Sequence, residues 1–154
     1  MAPQYWLMKS EPVKYSIDAL ARDKVTFWDG VRNYKARNLM RDDMKVGDQA
    51  FFYHSNHKPS AVAGIMTIAS AAKPDPTQFD VDNHYYDEKS DPEKPRWWAV
   101  DVKFSRKFDN PVSLADVKAD AALSDMALVK MARLSVQPVR PAEWRRVLKL
   151  AGED

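Results

Sequence analysis

The sequence predicts an α+β domain built around a strongly bent sheet or a small open barrel. Three observations indicate this fold class. About six strand-like segments follow one another along the chain. The helical segments lie irregularly between them and do not form alternating βαβ units. The 154 residues, of which 45% are hydrophobic, suit a single domain spanning residues 1–154 with its own core.

The strand-like segments are short and either apolar or alternating. They cover residues 4–9, 25–28, 50–53, 62–72, 97–107 and 133–139. The 62–72 segment is nearly apolar throughout, which is typical of a strand that is buried on both faces or bent around a barrel. Pro138 predicts that the last strand lies at a sheet edge or ends there, because proline donates no ladder hydrogen bond.

The helices carry recognisable start signals. Ser16 is a suitable N-cap for a short helix, and residues 34–44 have the spacing of a second one. Ser113 opens another helix with an acidic residue three positions later, as in a capping box. Pro141 starts the last helix, in which Trp144 shares an apolar face with residues at helical spacing and is predicted to be core.

Residues 73–95 differ from the rest of the chain. They contain four of the ten prolines, many charges and a Tyr-Tyr pair. Too little chain follows them to build a second core, so we expect a long ordered or semi-ordered loop within one domain.

Several kinds of chemistry are excluded or unsupported. The absence of cysteine removes disulfides, thiolate nucleophiles and sulfur-ligated zinc together. His54 and His57 lie three residues apart and His84 stands alone, without further ligands at a spacing that suits a metal. The chain has only four glycines, and neither a glycine-rich phosphate loop nor a nucleophile elbow occurs. We therefore expect a non-catalytic binding module with no metal and no cofactor.

The N-terminal residues and the apolar runs bear on location. Residues 1–12 lack the basic region and apolar core of a signal peptide, and no apolar run has the length of a membrane span. We expect a cytoplasmic protein without a membrane partner, associated with the nucleoid in a bacterium or nuclear in a eukaryote. The sequence leaves the oligomeric state open, and a monomer is compatible with it.

The charge balance is nearly even. The chain has 24 Lys and Arg against 22 Asp and Glu, a formal net charge of +2. Residues 1–58 hold ten basic residues against seven acidic ones, which gives this half a modest basic excess that can meet phosphates. An ordinary solvated surface is the simpler explanation of these charges, so they do not by themselves indicate a nucleic-acid partner.

A series of longer strings resembles one known family in order along the chain. They are residues 5–12 (YWLMKSEP), 15–18 (YSID), 28–38 (WDGVRNYKARN), 44–48 (MKVGD), 51–56 (FFYHSN), 61–65 (AVAGI), 74–80 (PDPTQFD), 85–90 (YYDEKS), 95–102 (PRWWAVDV) and 133–139 (RLSVQPV). On these strings the chain is identified as a member of the EVE domain family of the PUA-like superfamily, and it is distantly similar to YTH domains. The strings span nearly the whole sequence and are specific.

The resemblance implies a PUA-like mixed β pseudobarrel with flanking helices. It also implies an aromatic-lined pocket for a nucleobase taken out of the stack, since EVE domains are linked to modified cytosines in DNA and PUA-like relatives to RNA. The partner that follows is DNA or RNA with a modified base, most simply 5-methyl- or 5-hydroxymethylcytosine in DNA. Modified RNA or tRNA, or a free nucleoside-like small molecule, is the alternative ligand.

Aromatic residues are the first candidates for this pocket, because stacking on aromatic walls contributes about 1–3 kcal/mol per base. Trp28 lies beside a turn at the end of a short strand, where an indole either fills the core or forms a pocket wall. Tyr85 and Tyr86 lie in the long loop, where fewer aromatics are needed for the core. Trp97 precedes Trp98 at a strand start, and one of the two should face the core. Trp28→Ala is expected to weaken binding and leave the fold intact.

Polar residues at two strand ends are the second candidates. In the related fold the end of the first strand borders the pocket, so the resemblance implies that Lys9, Ser10 and Glu11 face the base, with a capped turn as the alternative. His54 and Ser55 end another strand and are expected at the pocket mouth.

Asn33 and Asn38 follow the Trp28 turn, and asparagine offers a base edge both a donor and an acceptor. Arg32, Arg37 and Arg41 suit phosphates, although a solvated helix face is a close alternative for Arg41.

The last strand offers one further pair. Ser135 and Gln137 are two residues apart and so lie on one side of an otherwise apolar segment. They indicate either a lined cavity or a buried hydrogen-bonding pair.

Overall fold

A computed structural model describes residues 3–153 of the chain. Its strands are β1 (Tyr5–Ser10), β2 (Val25–Phe27), β3 (Gln49–His54), β4 (Ala61–Ile68), β5 (Lys73–Pro74), β6 (Trp98–Ala99), β7 (Asp101–Ser113) and β8 (Val136–Val139). Six of them form one sheet in the order β2-β7-β4-β3-β1-β8, while β5 pairs with β6 separately. Strands β1 and β3 run parallel, and the other neighbours in the sheet run antiparallel.

The mixed sheet curls into a half-barrel with helices at its sides. Register shifts interrupt the β4–β7 pairing in two places and the β3–β4 pairing once, and such bulges bend a sheet. Gly64 lies at one of them: a Cβ there would stand 2.2 Å from the carbonyl oxygen of Arg106, so only glycine permits this approach. The α+β, PUA-like fold predicted from the sequence is confirmed.

The helices begin where the local signals place them. They are α1 (Ile17–Asp23), α2 (Tyr34–Asn38), α3 (Leu114–Ala119), α4 (Ala127–Lys130) and α5 (Pro141–Leu150). Ser16 Oγ accepts a hydrogen bond from the Ala19 amide, and Ser113 Oγ accepts one from the Asp116 amide, each at 3.1 Å. Pro141 is the first residue of α5, as predicted. No helix within residues 3–153 has the length and apolarity to cross a membrane.

Each face of the sheet carries its own hydrophobic core. Along β1, Trp6 and Met8 belong to one cluster and Leu7 to the other, because successive side chains of a strand point to opposite faces. The second cluster also contains Trp144, which is 4% exposed, so its prediction as core is confirmed.

Two elements differ from the sequence-based expectation. The predicted strand 97–107 is interrupted at Val100, where short β6 ends and the long β7 begins one residue later. The predicted helix 34–44 continues beyond α2 as a π-helical segment (Leu39–Asp43). Among the described residues, strand β8 pairs only with β1 in the sheet, and this edge position accommodates Pro138 as predicted.

Candidate base-binding cleft

A cleft of about 1150 Å³ opens beside the carboxyl end of β1. Its walls are residues 9–11 and 14–15, the turn 26–32, residues 55–56 after β3, residues 84–85, and residues 133 and 135 before β8. The cleft is therefore assembled from five separated parts of the chain that the half-barrel brings together.

Trp28 forms part of this wall and part of the core at once. It is 7% exposed, and its ring meets the Phe52 ring edge-on with centroids 5.3 Å apart. Its backbone amide donates to the Val100 carbonyl at 2.9 Å, where the strand following the long loop is interrupted. The indole is thus fixed in position from both its ring and its backbone.

Tyr85 lies directly against the turn that follows Trp28. A Cβ added to Gly30 would stand 2.6 Å from two carbons of the Tyr85 ring, and Gly30 has φ +81°. Both the contact and the left-handed backbone require glycine. The Tyr85 ring therefore packs on bare backbone and extends the wall begun by Trp28.

An ion pair joins the Trp28 turn to the long loop. Asp75 is 1% exposed and accepts hydrogen bonds from the Gly30 amide at 2.8 Å, from Arg32 at 3.0 Å and from the Thr77 amide and hydroxyl. Arg32 also donates twice to the Tyr85 carbonyl, at 2.8 and 3.1 Å. Burial alone would raise the pKa of Asp75, but these hydrogen bonds, led by Thr77, outweigh it and lower the pKa.

Gln78 stabilises the same loop through buried hydrogen bonds. Its side chain is fully buried and donates to the carbonyls of Asp75 and Trp97, at 2.7 and 2.8 Å. Its Oε1 accepts from the Ser90 hydroxyl and the Trp97 amide. Both donors and the acceptor of the Gln78 amide therefore bond to the loop, and they connect its two ends.

The end of β1 supplies the polar side of the cleft. Lys9 Nζ donates to the Ala132 carbonyl at 2.6 Å, and burial lowers the pKa of this ammonium group. Ser10 Oγ donates to the Tyr15 carbonyl at 2.7 Å, which is the capped turn weighed as its alternative. Glu11 accepts from the Asn56 side chain at 3.0 Å.

Asp29 is a charged lining residue next to Trp28. Burial raises the pKa of its carboxyl group, and the nearby Asp75 carboxylate raises it further. A carboxylate in this position can accept hydrogen bonds from an amino group on a ring held in the cleft.

The structure brings eight of the sixteen sequence-predicted site residues to the cleft. They are Lys9, Ser10, Glu11, Trp28, Arg32, Ser55, Tyr85 and Ser135. Arg32, predicted as a phosphate ligand, is engaged with Asp75 and the Tyr85 carbonyl there. The part that each residue takes in binding stays a prediction.

Two of the other predicted residues serve the α2 helix. Asn33 is its N-cap, with Oδ1 accepting from the Ala36 amide at 2.9 Å. Asn38 accepts from Arg37, whose guanidinium also donates to the Arg96 carbonyl at 2.6 Å.

Three predicted residues lie outside the cleft lining for different reasons. Arg41 is on the exposed π-helical segment and pairs with Asp42 at 2.8 Å. Tyr86 is 41% exposed and is not one of the lining residues. His54 is occupied as an acceptor, since its Nε2 receives the Ile17 amide at 3.1 Å.

Trp97 and Gln137 are buried supports. Trp97 stacks on Tyr34 with centroids 4.8 Å apart, and its Nε1 donates to Asp87 at 2.7 Å. Gln137 donates to the Met131 and Leu134 carbonyls, at 3.0 and 2.9 Å. Gln137 is therefore buried and bonded to backbone carbonyls, and Ser135 lines the cleft, so the two residues do not form the buried pair that was one of the alternatives.

The sequence interpretation did not select Asp29, His84 or Arg133, which also line the cleft. Asp29 carried a usable signal, because a carboxylate next to a turn tryptophan is a candidate base-edge acceptor. His84 and Arg133 carried none, since only the fold brings them to this place. No group of three or more potential metal ligands lies close together anywhere in residues 3–153.

The fold and the cleft together define a class of protein: a small PUA-like α+β domain with aromatic and polar walls suited to a planar polar ring. The chain belongs to the EVE domain family, whose model matches residues 4–150.

Similar proteins come from distant organisms. Thymocyte nuclear protein 1 of Danio rerio is 46% identical over 99% of this chain and 74% of its own length. The structure of a hypothetical protein from Leishmania major has a TM-score of 0.95 and 47% identity, covering 99% of this chain and 96% of that one. The human THYN1 protein, crystallised with DNA containing 5-methylcytosine, has a TM-score of 0.92 and 42% identity, covering 98% of this chain and 99% of that one.

Proposed function

We propose that this chain is a non-catalytic reader of modified cytosine in DNA, with 5-methyl- or 5-hydroxymethylcytosine as the base that it binds. The observation that carries the proposal is the cleft of about 1150 Å³ between the Trp28–Tyr85 wall and the end of β1. The human relative crystallised with 5-methylcytosine-containing DNA supports the choice of base and of DNA. A base inside a duplex cannot reach such a cleft, so binding requires that the base leave the stack.

The walls and the polar groups take different parts in this proposal. Tyr85 and Trp28 provide aromatic surface against a ring face, at about 1–3 kcal/mol per stacked base. Asp29 accepts a hydrogen bond from the N4 amino group, which distinguishes cytosine from thymine. Ser55 and Ser135 lie within the same lining and offer hydroxyl groups to the remaining base edge, while the Ser10 hydroxyl is engaged with the Tyr15 carbonyl.

The cationic residues divide into two kinds. Arg32 and Lys9 already hold protein groups, so we assign to them the positioning of the walls. Lys14 and Arg133 are exposed residues of the lining and are the better candidates for contact with the DNA backbone.

The test is a binding panel of matched oligonucleotides. It contains DNA and RNA strands with cytosine, 5-methylcytosine, 5-hydroxymethylcytosine, adenine or N6-methyladenine, and tryptophan quenching is the readout. We expect a modified-cytosine DNA strand to bind most tightly. Equal affinity for modified and unmodified DNA contradicts the proposal, a preference for RNA moves it to modified RNA, and binding of free nucleosides alone moves it to a small molecule.

The non-catalytic part has its own check. After prolonged incubation with the protein, the recovered oligonucleotide is expected to keep its mass. A changed base or a cleaved strand would make the chain an enzyme.

A further inference from the structure

A second, smaller groove lies next to the cleft, at the β8 edge of the sheet. It has a volume of about 420 Å³ and runs between the start of α2 and the segment 130–134. Arg133 lines both the groove and the cleft, so the two are adjacent and share one cationic wall.

The groove combines an apolar floor with cationic sides. Met131 is 36% exposed and Leu134 is buried beside it. Lys35 and Lys130 are exposed at the sides, together with Arg133. Within residues 3–153, Lys35 and Arg133 form no ion pair, and Lys130 has only a 3.9 Å contact with Asp125, where both side chains are largely exposed. Such a pair contributes little, so the cations are available to an anion.

The segment that forms the groove is held in one shape. Gln137 donates to the Met131 and Leu134 carbonyls, and Lys9 donates to the Ala132 carbonyl between them. Lys9 also lines the cleft, so its hydrogen bond to Ala132 connects the lining of the cleft to the backbone of the groove. A preformed surface loses little entropy when it binds.

We infer that this groove binds the sugar-phosphate unit next to the captured base, with the deoxyribose on Met131 and the phosphate between Lys35, Lys130 and Arg133. The inference rests on the proposed function, because it places the neighbouring nucleotide of the same strand. Arg133 lines both the cleft and the groove, so a strand whose base enters the cleft can reach the groove with its next phosphate, and the groove carries the opposite charge to that phosphate.

The experiment compares the wild-type protein with the Lys35→Glu/Lys130→Glu double variant, neither residue of which lines the cleft. The DNA strand carries one 5-methylcytosine and, in turn, a neutral methylphosphonate at each flanking phosphate. The control is the Lys118→Glu/Lys149→Glu variant, in which two exposed lysines of α3 and α5 receive the same charge change.

We expect the Lys35→Glu/Lys130→Glu variant to bind roughly tenfold more weakly and to lose about 1 to 2 units of the salt slope. Its preference for 5-methylcytosine over cytosine is expected to persist. One methylphosphonate position is expected to weaken wild-type binding and to have little effect in the variant, because the two changes remove the same contact. The control variant is expected to bind as the wild type does.

Two results separate the groove from the cleft. If wild type and the Lys35→Glu/Lys130→Glu variant share one affinity and one salt slope, the groove inference is overturned while the modified-base preference stands. If wild type shows no preference for 5-methylcytosine, the proposed function fails, and the methylphosphonate cycle still decides whether DNA uses the groove. Absence of DNA binding overturns both.

Discussion

Trp28 shows how one residue can serve two purposes. The sequence left open whether its indole fills the core or lines a pocket, and in the structure it does both. The expectation that Trp28→Ala leaves the fold intact stays a prediction, and the burial of the indole adds a cost in stability to it. We expect this change to lower the free energy of unfolding by about 3–5 kcal/mol in urea titrations, because it opens a cavity beside Phe52. An unchanged urea midpoint would place the indole outside the core.

The two adjacent tyrosines provide a matched pair. Tyr85 lines the cleft, whereas Tyr86 is exposed outside it. Tyr85→Ala is expected to weaken binding of 5-methylcytosine DNA by about 1–3 kcal/mol, the contribution of one stacking contact. Tyr86→Ala removes an equal side chain and is expected to leave the affinity unchanged in the same titration. Equal losses in both variants would contradict a wall formed by Tyr85.

Asp29 is expected to make the binding of 5-methylcytosine DNA depend on pH. Burial and the Asp75 charge raise the pKa of Asp29, so its carboxylate, the form that accepts from the N4 amino group, is lost at a higher pH than usual. Affinity for 5-methylcytosine DNA is expected to fall as the pH decreases through this raised pKa. In Asp29→Ala that pH dependence disappears and the affinity is lower by about 1–3 kcal/mol at neutral pH. A variant with the wild-type pH profile would remove Asp29 from the site.

Asp29→Ala is also expected to fold normally. Asp29 is exposed, so removal of its side chain opens no cavity in the core. Thermal unfolding at neutral pH should therefore show no loss in this variant.

At the scale of elements, the loop between β5 and β6 decides the shape of the cleft. Asp75 connects it to the Trp28 turn through Gly30 and Arg32, and Gln78 connects its two ends. Because these hydrogen bonds join protein groups to one another, they hold the Tyr85 wall in position.

The Asp75 connection has a consequence in acid. The pKa of Asp75 is lowered, so its contribution to stability is complete above the ordinary carboxyl pKa of about 4 and is lost as the pH falls through the lower native value. Asp75→Asn is expected to cost about 1–3 kcal/mol at neutral pH and to flatten the decline of stability below about pH 4. Urea unfolding at several pH values measures both effects. A parallel decline in wild type and variant would assign the acid sensitivity to other carboxylates.

The helix starts and the strand ends show what local sequence can predict. Ser16, Ser113 and Pro141 were identified as helix starts because a cap is decided by residues within one turn. The break at Val100 was not predicted, since nothing in an alternating pattern indicates where a strand changes its partner.

For the cleft, the position of a residue beside a turn predicted some of the lining residues and not others. Trp28 and Tyr85 were found because aromatics in turns and loops are unusual, and both line the cleft. Arg32 was predicted as a phosphate ligand, whereas in the structure it bonds to Asp75. This partner lies 43 residues away in the sequence, so no local pattern indicates the pair. The sequence left open whether Ser135 and Gln137 line a cavity or form a buried pair. Only the fold shows that Ser135 lines the cleft and that Gln137 donates to buried backbone carbonyls.

At the scale of the whole molecule, the sheet has a different hydrophobic core on each face, and only one of the two cores reaches the cleft. One core packs α5 against the face that contains Leu7, and the other core includes Trp28 at the cleft. Four of the eighteen cleft residues lie in strands β1 and β2, and the other fourteen lie in turns and loops, so the half-barrel fixes where the turns meet.

Ligand binding should therefore stabilise the whole fold. At a concentration of 100 times Kd, a ligand adds about 2.7 kcal/mol, which corresponds to a rise in Tm of about 5–10 °C for a chain of this size. We expect a thermal shift of this order with 5-methylcytosine DNA and a smaller one with unmodified DNA at the same concentration. Equal shifts would indicate binding that does not depend on the modified base.

The central claim is that the modified base itself enters the cleft, and NMR of an oligonucleotide with a ¹³C-labelled 5-methyl group tests it most directly. The account predicts that the methyl resonance shifts on binding, because it moves beside aromatic rings, and that it shows contacts to Trp28 or Tyr85. A methyl resonance that stays at its free position while the DNA is bound would show that the base remains outside the cleft.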